Sequence, residues 1–117
     1  MSNEAITTNI PAYRTLEQFQ TVIQRVTTIG ETATKIPIVG STYTPLNYRK
    51  GIIVQNVDTS KTVYLGSATV TGDTAATGGL QLLPHGSLPI TLDGSCTLYG
   101  IVATGDTSAK VVSFEVS

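Results

Sequence analysis

Two short, β-rich apolar runs separated by a polar turn constrain this chain more than any other stretch. They lie within residues 50–70, KGIIVQNVDTSKTVYLGSATV. Residues 52–57 are followed by Asp58-Thr59-Ser60-Lys61, and then by residues 63–65. Ile, Val and Tyr suit a pleated, half-buried surface, and Asp and Ser supply the side-chain hydrogen bonds that turns use. The pattern predicts a β-hairpin, with Val63 and Leu65 on one face and Tyr64 on the other. A lone hairpin is marginal in water, so further strands must cover it.

Those strands lie mostly downstream. From Ala33 onward the pattern is β. Residues 33–39 carry Ile36 and Ile38, but Pro37 confines them to an edge strand or an extended segment. Residues 40–48 read as a loop. Residues 66–79 form a long small-residue loop, with Val70 ending a brief strand. Residues 80–83 are a short apolar strand, and Pro84-His85-Gly86 is a turn. Residues 87–92 alternate, with Leu88, Ile90 and Leu92 inward and Pro89 marking an edge. Asp93-Gly94 is a turn signal. Residues 97–103 are apolar on both faces, as a central strand covered twice would be. Residues 110–116 close the chain, with Val112, Phe114 and Val116 expected inward and Val111, Ser113 and Glu115 outward. Strands at this spacing, with Asp/Gly turns between them, predict an all-β domain, a small antiparallel β-sandwich or barrel of jelly-roll-like type. One helix and no βαβ alternation argue against a parallel sheet.

The N-terminal part looks different. Residues 1–14 read as an extended arm, since Pro11 blocks an early helix. Residues 15–28, TLEQFQTVIQRVTT, are the one helical candidate. Thr15 and Gln18 match a capping box, and Gly30 is a C-terminal stop. Leu16, Phe19, Val22, Ile23 and Val26 form one apolar stripe at helical spacing. The Thr-rich end, with Thr21, Thr27 and Thr28, keeps a strand open for the last few residues. A short helix is weak alone, so the stripe must pack on the β domain or on a sister chain. The expected division is therefore an arm and short amphipathic helix over 1–30 and an antiparallel β domain over 31–117. The stripe, with Tyr13 as an anchor for the arm, is the candidate assembly surface.

Composition narrows the function classes. The formal net charge is −1, which gives no global electrostatic reason to bind nucleic acid or an anionic membrane. Charged residues make up 13%, against about 25% in ordinary soluble domains. Thr, Ser and Gly fill the deficit, leaving a surface weakly protected against self-association. Either hydroxyls and turns solvate it or partners cover it. No stretch approaches the roughly 20 apolar residues of a membrane span, and the N-terminus lacks the pattern of a Sec signal. Cys96 is the only cysteine, so no intrachain disulfide can form, and synthesis in a reducing cytosol fits.

Reactive groups are scarce. His85 is the sole histidine, in an expected surface turn, and Cys96 reads as a small apolar strand residue. A nucleophile–base pair from these two would meet only by accident of folding, and they cannot supply a zinc donor set. Asp58, Asp73, Asp93 and Asp106 all fall in turns, where Asx hydrogen bonding explains them; two such loops brought together could hold Ca²⁺. No phosphate-cradling glycine motif is present. Arg49-Lys50, with Arg14, Arg25 and Lys35 and the nearby Tyr43 and Tyr48, could make a single-strand nucleic-acid platform. Low charge and few aromatics oppose it. The expectation is a chain that is not an enzyme and needs no cofactor or metal.

One resemblance bears on function. Over residues 50–116 the order is IIVQN (52–56), VYLG (63–66), a Val-Thr step (70–71), a Gly-rich loop, LPHG (83–86), LPITL (88–92), LYGIVA (98–103) and VVSFEV (111–116). It resembles small β-rich accessory virion proteins of tailed bacteriophages, in which "VYLG…V…G…L.PG…LP.…LYA.A…V.V" recurs. Here His85 interrupts the Pro-Gly turn of that pattern, and residues 1–30 lie outside it. The resemblance implies a capsid decoration or cement protein on the virion surface, assembled in the host cytoplasm. Its implied partners are the major capsid protein and copies of itself, a trimer being favoured. The alternative is a receptor- or carbohydrate-binding β module at a tail or head-fibre base, for which Tyr43, Tyr48, Tyr64 and Tyr99 are the candidate contact residues.

Overall fold

The computed structural model describes residues 21–93 and 95–117. Ten strands follow one another: β1 (Val22–Ile29), β2 (Thr34–Ile36), β3 (Ile38–Val39), β4 (Thr42–Tyr43), β5 (Gly51–Asn56), β6 (Val63–Gly66), β7 (Leu80–Leu82), β8 (Ser87–Thr91), β9 (Leu98–Val102) and β10 (Ala109–Val116). Among the described residues there is no helix. The first sheet has the order β1-β10-β5-β8, the second β2-β9-β6-β7, and β3 and β4 form a separate ribbon. Every strand pairing is antiparallel.

Both large sheets line one core. Ile29, Ile52, Val54, Ala109 and Val111 come from the first sheet, and Ile36, Val63, Leu65, Leu82, Leu98 and Val102 from the second. Leu88, Ile90 and Leu92 pack against this cluster, as their alternation predicts. Pro89 lies on β8, an edge strand, where its missing N–H costs no ladder bond. β9 is central in its sheet, with Gly100 facing the core. A Cβ at Gly100 would sit 3.1 Å from Ile36 Cδ1 and 3.2 Å from Ile29 Cδ1. Glycine there admits isoleucines from both sheets.

The expected hairpin at residues 50–70 does not form. β5 and β6 do not pair; they belong to different sheets. The turn chemistry is as expected: Asp58 Oδ1 accepts hydrogen bonds from Ser60 N and Lys61 N, each at 2.9 Å. The difference lies in what the turn joins. The buried Asn56 accepts from Asp58 N and donates from Nδ2 to Lys61 O at 2.8 Å and Leu82 O at 2.9 Å. These bonds carry the chain across the core, from one sheet to the other. Six residues between the strands are too long for the tight two-residue hairpin loop.

The helix expected over 15–28 is also corrected. Residues 22–29 are β1, paired with β10 along their whole length, from Val22↔Val116 to Ile29↔Ala109. Residues 15–20 lie outside the described part. The sequence VIQRVTTI puts apolar residues at positions that satisfy both a 3.6 and a 2.0 period. The sheet decides between them, because Ile23, Arg25, Thr27 and Ile29 turn inward while Val22, Gln24, Val26 and Thr28 turn out.

A third correction concerns β10. Val111, Ser113 and Glu115 are buried, and Val112, Phe114 and Val116 lie on the opposite face, half-buried. The expected orientation is inverted. The reason is the pair of arginines that Glu115 meets on the inner side.

Candidate functional site

Among the described residues no reactive constellation stands out; the most unusual feature is the outer face of the first sheet. Residues directly opposite in register share a face. On the outer side Val22 lies across from Val116, Val26 from Val112, and Phe114 from Ile53, which lies across from Pro89. Gln24, Gln55, Ser87, Thr28 and Thr91 fill the remaining outward positions, with Gly51 leaving a shallow hollow beside Val116 and Pro89. Lys110 is the one charged side chain at these register positions, at the far end of β10, and the exposed Lys50 borders the hollow at the opposite end. Val22 is 63% exposed, Val26 51% and Ile53 42%. An antiparallel sheet with one face in water is ordinarily polar on that face. This one carries two apolar rows and an aromatic.

Beneath the same sheet, beside the apolar core, lies a buried ion network. Arg49 and Glu115 are fully buried, 2.7 Å apart from Nη1 to Oε2. Arg49 donates its other bonds to Leu92 O (3.2 Å), Asp93 O (3.1 Å) and Cys96 O (2.6 Å). Glu115 also accepts from Arg25 Nη1 at 3.2 Å and from Leu46 N at 3.2 Å, and Arg25 reaches Thr44 O at 2.6 Å. Buried charges are tolerable only when their lone pairs and protons are satisfied, and here they are. The network pins the 44–49 loop and the carbonyls of Leu92, Asp93 and Cys96 to the inner side of β10. Arg49 is thereby unavailable to a nucleic-acid phosphate. Lys35 lies 5.4 Å from the Tyr43 ring centroid.

The sequence-predicted assembly residues separate. Val22 and Val26 are on the outer face, Ile23 is half-buried on the inner one, and Tyr13, Leu16 and Phe19 lie outside the described residues. Val112, Phe114, Val116, Ile53 and Pro89 join the surface without having been singled out. The signal was present in VVSFEV, where apolar residues occupy both faces of the strand.

The remaining reactive groups are dispersed. His85 is exposed in its turn with φ 64°. Cys96 is exposed in a bend rather than held in a strand. The Asx turns are real: Asp93 Oδ1 accepts from Ser95 N at 2.8 Å and Ser95 Oγ at 2.6 Å, and Asp73 Oδ1 accepts from Ala75 N at 3.0 Å. The Ser95 hydrogen bonds hold the Asp93 carboxyl below its ordinary value; backbone N–H groups of Ser60 and Lys61 do the same for Asp58. Among the described residues no three His, Cys, Asp or Glu side chains come together. Tyr43 and Tyr99 both line a shallow hollow with Lys35, Thr34, Ile38 and Thr42, whereas Tyr48 projects alone, 90% exposed.

Compared with known proteins, the chain matches no family model, and neither a curated protein nor a solved structure is significantly similar to it.

Proposed function

We propose that this chain is a structural virion subunit, a capsid decoration or cement protein that stabilises a phage head through many weak contacts. The observation that carries the reading is the reversed polarity of β10: Glu115 is turned inward and Phe114 outward. A solvated face gains nothing from such an arrangement, whereas a face covered by another chain does. In this reading the two sheets close as a jelly-roll-like sandwich and act as a rigid body. The partners are the major capsid protein and copies of the chain itself, three around a local three-fold axis in the arrangement the resemblance implies. The segment bearing Tyr13, Leu16 and Phe19 supplies further contacts. Each contact is small, and effective concentration on a particle multiplies them. No catalysis, cofactor or metal enters the mechanism.

Locating the chain on purified virions of the phage that encodes it tests this. Regularly spaced copies on the outer shell, and heads that lose heat resistance without them, are expected. Virions that lack the chain altogether contradict the reading.

A second reading, a carbohydrate-binding module, draws support from the convergence of Tyr43 and Tyr99 with Lys35 in one hollow. Tyrosine rings can stack on sugar faces and lysine can meet hydroxyls or acidic groups. Glycan binding abolished by Tyr43→Ala would favour it over the cement reading.

A further inference from the structure

We infer that Tyr48 and the hollow at its foot form a binding site for a neutral saccharide, presented at the end of the molecule where β5 begins. The inference goes beyond the cement reading and does not depend on it. It also places a glycan site apart from the Tyr43–Tyr99 hollow.

Three observations carry it. First, Tyr48 is displayed against the preference of its backbone. It is 90% exposed, so its ring adds nothing to the core. Its φ is 57°, a left-handed conformation that glycine or asparagine adopts readily and tyrosine does not. Strain of this kind persists only where the surroundings hold it, and it gathers at ligand sites. His85 and Thr107 share the conformation, but neither lies on the buried ion network.

Second, the loop that carries Tyr48 is fixed. Arg25 Nη1 reaches Thr44 O at 2.6 Å, Leu46 N donates to Glu115 Oε2 at 3.2 Å, and Arg49 is buried against the same carboxylate. Lys50 N donates to Val116 O at 2.8 Å. These bonds anchor the chain on both sides of Tyr48. A buried ion network adds little net stability over apolar packing, so what it supplies here is a fixed loop. An aromatic side chain on a rigid loop loses little entropy on binding.

Third, the groups beside the ring are those a sugar needs. Pro45 and Leu46 form the apolar part of the hollow, and Asn47, Asp93 and Ser95 the polar part. A tyrosine ring stacks on the C–H face of a pyranose, while amide, carboxylate and hydroxyl groups meet its hydroxyls. An ionised carboxylate accepts about four hydrogen bonds, and Ser95 supplies two of them to Asp93. Charge argues against other ligands. Arg49 is committed to Glu115 and to three backbone carbonyls, and Lys50 lines the other hollow, on the outer face of the first sheet. An anionic ligand would meet the Asp93 carboxylate with no uncommitted cation lining the hollow to offset it. Cages for organic cations are built from several rings, and this hollow has one.

Chromatography of the full chain on immobilised dextran, mannan and galactan tests the inference. Retention on at least one column is expected, and about 0.5 M salt leaves it unchanged because a neutral sugar brings no charge to screen. Tyr48→Ala and Tyr48→Gly both abolish it, and Asp93→Ala weakens it about tenfold. Both Tyr48 variants stay folded, since the ring lies outside the core. Tyr48→Gly melts above Tyr48→Ala, the reverse of the usual order, because only glycine relieves the left-handed backbone. Failure to bind any of the three columns overturns the inference. So does retention that survives Tyr48→Ala, the result expected if the Tyr43–Tyr99 hollow held the glycan. Retention that salt removes, or Tyr48→Ala melting above Tyr48→Gly, overturns it as well. None of these results bears on whether the chain decorates virions.

Discussion

Glu115 and Phe114 are neighbours in sequence and opposites in role. The acid is the structural residue of the two, because its carboxylate satisfies Arg49, Arg25 and the Leu46 amide at once. Removing one member of a buried ion network leaves the others uncompensated, at a cost of about 3–5 kcal/mol. Glu115→Ala is expected to lose about that much in denaturant unfolding, while Val116→Ala, on the open side of the same strand, loses about 1 kcal/mol or less. A hydrophobicity-based reading expects the reverse order. The turn aspartates act more gently. Asp58 and Asp93 have folded-state values lowered from 3.8 by the hydrogen bonds they accept. Their contribution is therefore complete above the ordinary carboxylate range and is lost as pH falls through it to the lowered folded values. Thermal scans between about pH 6 and pH 2 should show a shallower acid loss for the Asp58→Asn/Asp93→Asn variant than for the parent.

At the scale of elements, much of the β pattern was legible. Pro89 announced an edge, and it is one; the two-sided apolar run of β9 announced a central strand, and it is one. Three features were not legible, for separate reasons. Two apolar runs joined by an Asx turn look the same whether the strands pair or cross a core, so β5 and β6 could not be told from a hairpin. VIQRVTTI satisfies two periods at once, and only the partner strand chooses. The orientation of β10 depends on arginines 66 and 90 residues away in sequence, beyond any local pattern. β1 offers a direct test of the strand period. Thr27 is buried and holds Ile38 N, whereas Thr28 faces out. Thr27→Ala should cost about 1–3 kcal/mol by leaving a backbone N–H without its partner, and Thr28→Ala should cost under about 0.5 kcal/mol. Equal effects would fit a helix end better than a strand.

For the whole molecule, the inner face of the first sheet combines the apolar core with the buried Arg49–Glu115 network, and its outer face presents Val22, Val26, Ile53, Val112, Phe114 and Val116 among polar residues. The core of the two sheets and the Arg49–Glu115 network hold the body together without help from that outer face. The face is thus available for association at little cost to the fold, and low charge elsewhere keeps copies from repelling one another. The candidate surface was half legible: Val22 and Val26 were chosen for their helical spacing and belong to the surface as strand residues, whereas Phe114 was assigned to the core.

Thiol labelling measures this directly. In a Cys96→Ser background, single cysteines at 113 and 114 report the two faces of β10. Position 114 should react quickly in dilute protein and become protected as concentration rises, while position 113 stays protected throughout. Rapid reaction at 113 with protection at 114 in dilute solution would mean that β10 faces the other way; reaction at 114 that never slows, at any concentration or on a particle, would mean that nothing covers this face.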